Sequence, residues 1–304
     1  MKATVEHLTA VNSHGDLHFN SGNFYSGGDG RGPGDTGPYV GNWVAIMEGD
    51  PSKWTFSTGD EAQIVSTDLP YGPIPKAQSH KICSLLDTGS KLHAAVEWHM
   101  RPQRGVVVSN QVVGTIATSF DRGKTWRETM DSEWQDGSPF ACLHFVNGRV
   151  DDGYTYAFGI GQPRQWDGPV YLARVLTDLV AHYSAWQYFT GRSRWRGVQW
   201  TKDQYKAVPV PGLSTEMRPS AIWHTGLQKY LFLGTTATIG LFASNSLWQG
   251  WERVTMAPPS IFNTGYMPGL IAGYSGKDFA LFTIAGKEGT KLDYRMNIGK
   301  IVFK

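Results

Sequence analysis

Single acids set among aromatic and glycine-rich residues are the groups in this sequence best suited to chemistry. Asp16 lies in Ser13-His14-Gly15-Asp16-Leu17-His18-Phe19 and Asp35 in Gly34-Asp35-Thr36. Glu97 lies in Ala95-Val96-Glu97-Trp98-His99, and Glu216 in Ser214-Thr215-Glu216-Met217-Arg218. Cleaving a glycosidic bond needs two carboxyl groups flanking that bond, one of them kept protonated by burial or by a neighbouring charge. Glu216 and Arg218 stand two apart, so on a strand they point to the same side. The guanidinium can then orient the acid, or clamp a substrate hydroxyl or carboxylate. Asp16 and Glu216 are the expected catalytic pair, with Asp35 or Glu97 tuning it. Each acid has a plainer alternative. Asp16 can be a turn aspartate that accepts backbone hydrogen bonds, Glu97 the outward member of an alternating strand, and Glu216–Arg218 a structural ion pair. Arg164, Arg174 and Arg218 are expected to bind sugar hydroxyls or acids. Trp166, Trp43 and Tyr274 are expected to stack on sugar faces, and His80 to line the same pocket. Packing is the alternative for each ring, because aromatics also fill β-sheet cores.

Other machinery is missing. The sequence has no G-x-x-x-x-G-K-[ST], no H-E-x-x-H and no G-x-S-x-G. The nine histidines are scattered, and His14 and His18, four apart, do not sit in a helical pattern. No organic cofactor and no metal are therefore expected. Two cysteines exclude a disulfide-rich scaffold and a four-cysteine metal site. Cys83 and Cys142 are either one disulfide or two buried thiols. Lys plus Arg is 28 and Asp plus Glu is 26, a net charge of +2 that leaves no broad footprint for nucleic acid or an anionic membrane. No apolar run approaches the roughly 20 residues needed to cross a bilayer. The N-terminal stretch lacks the apolar core of a signal peptide, so the chain is intracellular, viral or a mature exported form. Its low lysine and high Trp, Tyr, Gly and Asn fit a secreted, extracellular carbohydrate-active protein; a monomer whose partner is a polysaccharide or oligosaccharide is expected.

Such acids have to be brought together by the elements that carry them. Helical patterns are nearly absent; one short stretch, 178–189, fits a helix, a strand or an ordered loop equally well. Elsewhere short apolar runs alternate with Gly, Asn, Asp and Pro, which indicates an all-β protein. The runs fall into cycles. One is SPFACLHFVNG, DGYTYAFGIG, GPVYLARVL and AWQYFTGRSRW; another is STEMRPSAIWHT, KYLFLGTT, IGLFASN and LWQGWERV. GYMPGLIAGYS, DFALFTIAG and DYRMNIGKI make a third, and SHKICSLLD, KLHAAVEWH, GTIATSF and KTWRET an earlier one. A period of roughly 50 to 60 residues suits four-stranded blades, and the length then gives about five of them, a five-bladed β-propeller. Residues 1–304 are expected to form this one domain, with a long glycine-rich loop at about 21–39. Ser119-Phe120-Asp121-Arg122-Gly123-Lys124-Thr125-Trp126 matches the Asp-box S-x-D-x-G-x-x-W, a hairpin turn with its Trp packed beneath it. It is expected to be a structural device; an accidental surface hairpin is the alternative.

The stretch DDGYTYAFGIGQPRQWDGPVYLARVLTDLVAHYSAWQYFTG resembles the middle of the DUF4185 family. GLSTEMRPSAIWHTGLQKYLFL, LFASNSLWQGWE and TGYMPGLIAGYSGKDFALFTIA continue the likeness, over roughly residues 75 to 302. The resemblance implies a five-bladed propeller and, from some members, an endo-D-arabinanase that cuts an arabinofuranose polymer. It implies two N-terminal catalytic aspartates, in a T-D-L-G-like and an F-G-D-T-like segment. Gly15-Asp16 best matches the second, and Gly34-Asp35-Thr36 is a literal G-D-T. The first segment has no clear counterpart; Val-Glu-His-Leu-Thr at positions 5 to 9 lacks the aspartate. Glu216 matches a G-E-M-S-like position of the family. The expected function is glycoside hydrolysis of a polysaccharide. A non-catalytic carbohydrate-binding propeller, or a lyase acting on an acidic polymer, remains the alternative.

Overall fold

The computed structural model describes residues 1–14, 16–18, 25–32, 36–46, 78–100, 111–123, 125–148, 152–160, 168–215, 218–236, 238–257, 266–288 and 293–304. Their regular structure is almost wholly β, with a few single 3-10 turns. Strands β1 (Ala3–His14), β2 (Asp16–His18), β3 (Tyr25–Gly32) and β4 (Thr36–Ile46) come first. β2, β3 and β4 form one antiparallel sheet. The sequence pattern placed a loop at 21–39, but part of it is β3 and the start of β4. Glycine weakens a strand without forbidding it. The register slips between Gly28 and Gly30 and again between Gly30 and Gly32, the irregularity that glycines in a strand often mark.

A second sheet follows, with β5 (Gln78–Asp87), β6 (Leu92–Met100), β7 (Gln111–Ser119) and β8 (Arg127–Glu128) in order. The third holds β9 (Leu143–Asn147), β10 (Tyr154–Ile160), β11 (Gly168–Leu176), β12 (Gln187–Ser193) and β13 (Gly197–Thr201), with β14 (Pro209–Thr215) against β11. Two 3-10 turns, Thr177–Leu179 and Tyr183–Ala185, precede β12 where the sequence left helix, strand or loop open. The fourth sheet is β15 (Ser220–His224), β16 (Lys229–Thr236), β17 (Thr238–Ser244) and β18 (Glu252–Arg253). The last is β19 (Tyr266–Ile271), β20 (Phe279–Glu288) and β21 (Asp293–Phe303), completed by β1. β1 pairs antiparallel with β21 from Ala3 opposite Phe303 to His14 opposite Arg295. Each of the last four sheets is one of the cycles legible in the sequence.

The apolar runs are continuous because these sheets are covered on both faces. One core cluster joins Cys83, Ala95 and Ile116 of the second sheet to Leu143, Ala157 and Val175 of the third. Another joins Phe158 and Leu172 to Phe232 and Phe242 of the fourth. A third joins Leu231 and Leu241 to Leu270, Phe282 and Ile301 of the last. A sheet buried on both faces needs apolar residues at successive positions, not alternate ones. All five residues of β9 are buried accordingly. The first strand of each sheet touches the first strand of the next: β2 with β5, β5 with β9, β15 with β19, and β19 with β2. β9 and β15 are joined by parallel pairing of Ala221 with Val146 and Ile222 with Asn147.

Candidate functional site

Glu97 sits near the C-terminal end of β6, opposite Lys81 of β5 and Gly114 of β7. It is 2% exposed. A carboxylate in so dry a place needs a partner. That partner is Arg218, 1% exposed, which precedes β15 by two residues and forms an ion pair with Glu97. The pair therefore links the second sheet to the start of the fourth, across the N-terminal end of β9.

Two thiols and an imidazole fill the space around it. Ligand atoms of Cys83, Glu97 and Cys142 all lie within 4.8 Å of one another. The Cys83 and Cys142 sulfurs are 3.3 Å apart and both remain thiols. His144 Nε2 lies 3.3 Å from Cys142 Sγ. Local backbone features deliver these groups. Cys83 is the extra residue of a bulge in β5, between Ile82 opposite Val96 and Ser84 opposite Ala95; a bulge re-aims the side chain it carries. Gly114 lets the chain before β9 lie close over β7, because a Cβ there would collide with the Ala141 carbonyl oxygen. Reciprocal backbone bonds of 2.9 Å between Gly114 and Trp134 hold that crossing. Since Gly114 faces Glu97 in the ladder, Cys142 arrives beside the carboxylate.

Burial sets the charge state of the neighbours. It pushes the Cys142 thiol up and the His144 imidazole down to about 3, so both are neutral near pH 7. Cys83, Glu97 and Cys142 have the spacing of metal ligands. Against a metal, Arg218 already places a positive charge on Glu97, and ligation needs thiolates that burial disfavours. Among the described residues, the arrangement is a buried ion pair packed against two thiols and a neutral imidazole. It supplies fixed, buried charge, which can tune a neighbouring acid.

Residues 98–282, more than half of the chain, match the family described as "Domain of unknown function (DUF4185)". The chain belongs to this family. No curated protein matches this DUF4185 chain. Its fold is shared with solved structures at low identity. A protein from Bacteroides ovatus superposes with TM-score 0.60 at 10% identity, covering 97% of this chain and 87% of its own. An exo-beta-1,3-galactanase from Phanerochaete chrysosporium gives TM-score 0.55 at 11% identity, over 98% of this chain and 64% of that one. A family 117 glycoside hydrolase from Zobellia galactanivorans gives 0.52 at 9% identity, over 99% and 90%.

In this DUF4185 chain the candidate residues read from the sequence separate into four groups. Glu97 and Arg218 come together. Asp16 lies on β2 opposite Asp29, Trp43 on β4 opposite Gly28, and His80 on β5 opposite Trp98. Asp35, Arg164, Trp166 and Glu216 lie outside the described residues. Arg174 and Tyr274 make up the fourth group. Arg174 is on β11, the third strand of its sheet, with its guanidinium 4.2 Å from the ring centroids of both Tyr154 and Trp200 and its Nε donating to Gln187 Oε1 at 2.9 Å. Its neighbours are aromatic because it fills a slot in a sheet face by cation–π contact. Tyr274 follows the C-terminal end of β19, in a segment that packs on the turn after β15 through Lys277 and Gly226. It therefore lies toward the opposite end of β15 from Arg218. Cys83, Cys142 and His144 are not among the site residues expected from the sequence. The usable signal was a polar residue interrupting an apolar run, as in KICSLLD and FACLHFV.

Proposed function

We propose that the chain is a five-bladed β-propeller that hydrolyses glycosidic bonds of a polysaccharide where its inner strands converge. The observation that carries this reading is the buried Glu97–Arg218 pair, joining β6 to the residue before β15. The closed succession of contacts among β2, β5, β9, β15 and β19 supports the blade count. Asp16 is on a strand of that ring, and Glu216 is two residues from Arg218 in sequence. The fold shared with a galactanase and a family 117 glycoside hydrolase supports carbohydrate as the substrate class.

The roles follow from charge. One carboxylic acid protonates the leaving glycosidic oxygen, and a second carboxylate activates water or attacks the anomeric carbon. Asp16 and Glu216 take these two roles. Glu97, engaged by Arg218, is a fixed anion that biases the ionisation of the working pair and does not itself donate the proton. The family resemblance makes an arabinofuranose polymer the first substrate to try.

The test is product release from mycobacterial arabinogalactan, plant arabinan and acidic polysaccharides, read by mass spectrometry. Wild type is compared with D16N, E216Q and E97Q. Hydrolytic oligosaccharides are expected from wild type, with losses of at least a hundredfold in D16N and E216Q, the lower end for removal of a general acid or base. Products lighter by one water would replace the reading with a lyase. Binding without product would replace it with a carbohydrate-binding propeller.

A further inference from the structure

The hairpin farthest from the centre in the third sheet ends in an unusual tip. β13 is the outermost strand of that sheet, and the β12–β13 turn spans residues 194–196. Trp195, in that turn, is 89% exposed. Every other tryptophan whose side chain is described is buried or half-buried. The sequence around it is Gly191-Arg192-Ser193-Arg194-Trp195-Arg196-Gly197. All three arginines are exposed. Arg192 donates to Gln249 Oε1 at 2.8 Å, and the Arg194 guanidinium stands 5.6 Å from the Trp195 ring centroid. Among the described residues, no carboxylate makes an ion pair with any of the three.

The tip is held by its own bonds. Ser193 Oγ accepts the backbone N–H of Trp195 at 3.2 Å and of Arg196 at 3.0 Å. Gln199 Nε2 donates to the carbonyls of Arg196 at 2.8 Å and Gly197 at 3.3 Å. Gly197 has φ +67°, a left-handed conformation that suits a tight return. A fixed backbone thus presents one aromatic face between cations, with little left to order on binding.

We propose that this hairpin is a binding site for an acidic polysaccharide, separate from the central site. Trp195 stacks on the apolar face of one sugar ring, and Arg194 and Arg196 pair with carboxylates on the adjoining residues. A planar guanidinium matches a carboxylate through two parallel hydrogen bonds. A membrane is a poorer match, because the tip has a single apolar side chain flanked on both sides by arginine, whereas interfacial anchoring needs a broad apolar face. Single-stranded nucleic acid is also poorer, since its binding grooves offer several stacking rings along a track. The proposal does not depend on hydrolysis at the centre, because binding is measured without turnover.

The experiment is affinity electrophoresis of the whole chain in gels containing polygalacturonate, with neutral dextran as a control. W195A and R194Q/R196Q are run beside wild type, and circular dichroism checks their fold. Retardation of wild type by polygalacturonate alone is expected. Its apparent affinity should fall at least tenfold in each variant, and it should weaken at high salt because the contact is exposed. Three outcomes would overturn the proposal. One is the absence of wild-type retardation. Another is a W195A variant that binds as wild type does, which would reduce the effect to non-specific charge. The third is a preference for phosphatidylserine vesicles or a single-stranded oligonucleotide over polygalacturonate.

Discussion

Glu97 and Asp121 are two carboxylates held in opposite ways. Asp121 is satisfied by its own turn. Its Oδ1 accepts the Thr125 backbone N–H at 2.8 Å and the Ser119 hydroxyl at 2.8 Å, and its Oδ2 accepts the Thr125 hydroxyl at 2.6 Å. Trp126 closes the unit, donating from Nε1 to the Gly123 carbonyl at 3.1 Å. Glu97 depends on Arg218, which arrives from another sheet and is buried with it. The first acid is held wherever its eight-residue segment folds. The second is held only when the sheets have assembled around it. Structural turns can be written into a short motif, whereas a central site has to be assembled by the fold.

The comparison breaks most readily at Arg218. R218A leaves the Glu97 carboxylate buried beside two thiols. A loss of about 3–5 kcal/mol is expected, the usual cost of stripping one partner from a buried pair. Urea unfolding followed by tryptophan fluorescence reads it. R218K, which keeps the charge but not the planar fork, should lose less. The double variant E97Q/R218M should lose less than the sum of its single changes, because the pair acts as one unit. Unfolding of R218A at the wild-type urea midpoint would mean that Glu97 has water to solvate it.

The same contrast explains what could be read beforehand. Four strand cycles were legible because sheets covered on both faces need unbroken apolar runs, and such runs stand out between turn residues. The Asp-box was legible because all its bonds fall within one short spacing. The glycine-rich stretch misled, since β3 pairs through its backbone despite its composition. Glu97 and Arg218 were each noticed, but not as partners: Arg218 was coupled to Glu216, its neighbour in sequence. Nothing in the sequence around Arg174 shows that the rings of Tyr154 and Trp200 hold it against its own sheet. Cys83, Cys142 and His144 pass for members of apolar runs until two sheets bring them together.

A second test uses pH. Burial lowers His93 to about 4 and His144 to about 3. In the unfolded chain both take up a proton below about 6.5. Between those values the unfolded state binds more protons than the folded state, so stability falls as pH drops. Each histidine contributes a slope of at most about 1.4 kcal/mol per pH unit, beginning near pH 6.5. Denaturant midpoints measured from pH 7 to pH 4 should decline, and H93Q and H144Q should each flatten the decline. The effect vanishes at neutral pH. A flat wild-type profile would show that water reaches these imidazoles, and the centre would then resemble the exposed turn more than its burial implies.

The smallest effect belongs to Asp121, and its sign runs through a different window. The hydrogen bonds from Thr125, joined by that of Ser119, hold its carboxyl down at about 2. A group whose folded pKa is depressed contributes stability above its unfolded value, about 3.9, and loses that contribution as pH falls through the folded one. D121N should therefore differ from wild type by a constant amount above about pH 4, and the two should converge toward pH 2. The turn is exposed, so the constant difference should be well below that of R218A. The same variant should leave polysaccharide product release unchanged, because every bond it removes lies within one hairpin. A D121N protein with altered products would tie the turn to the central site and end the separation between them.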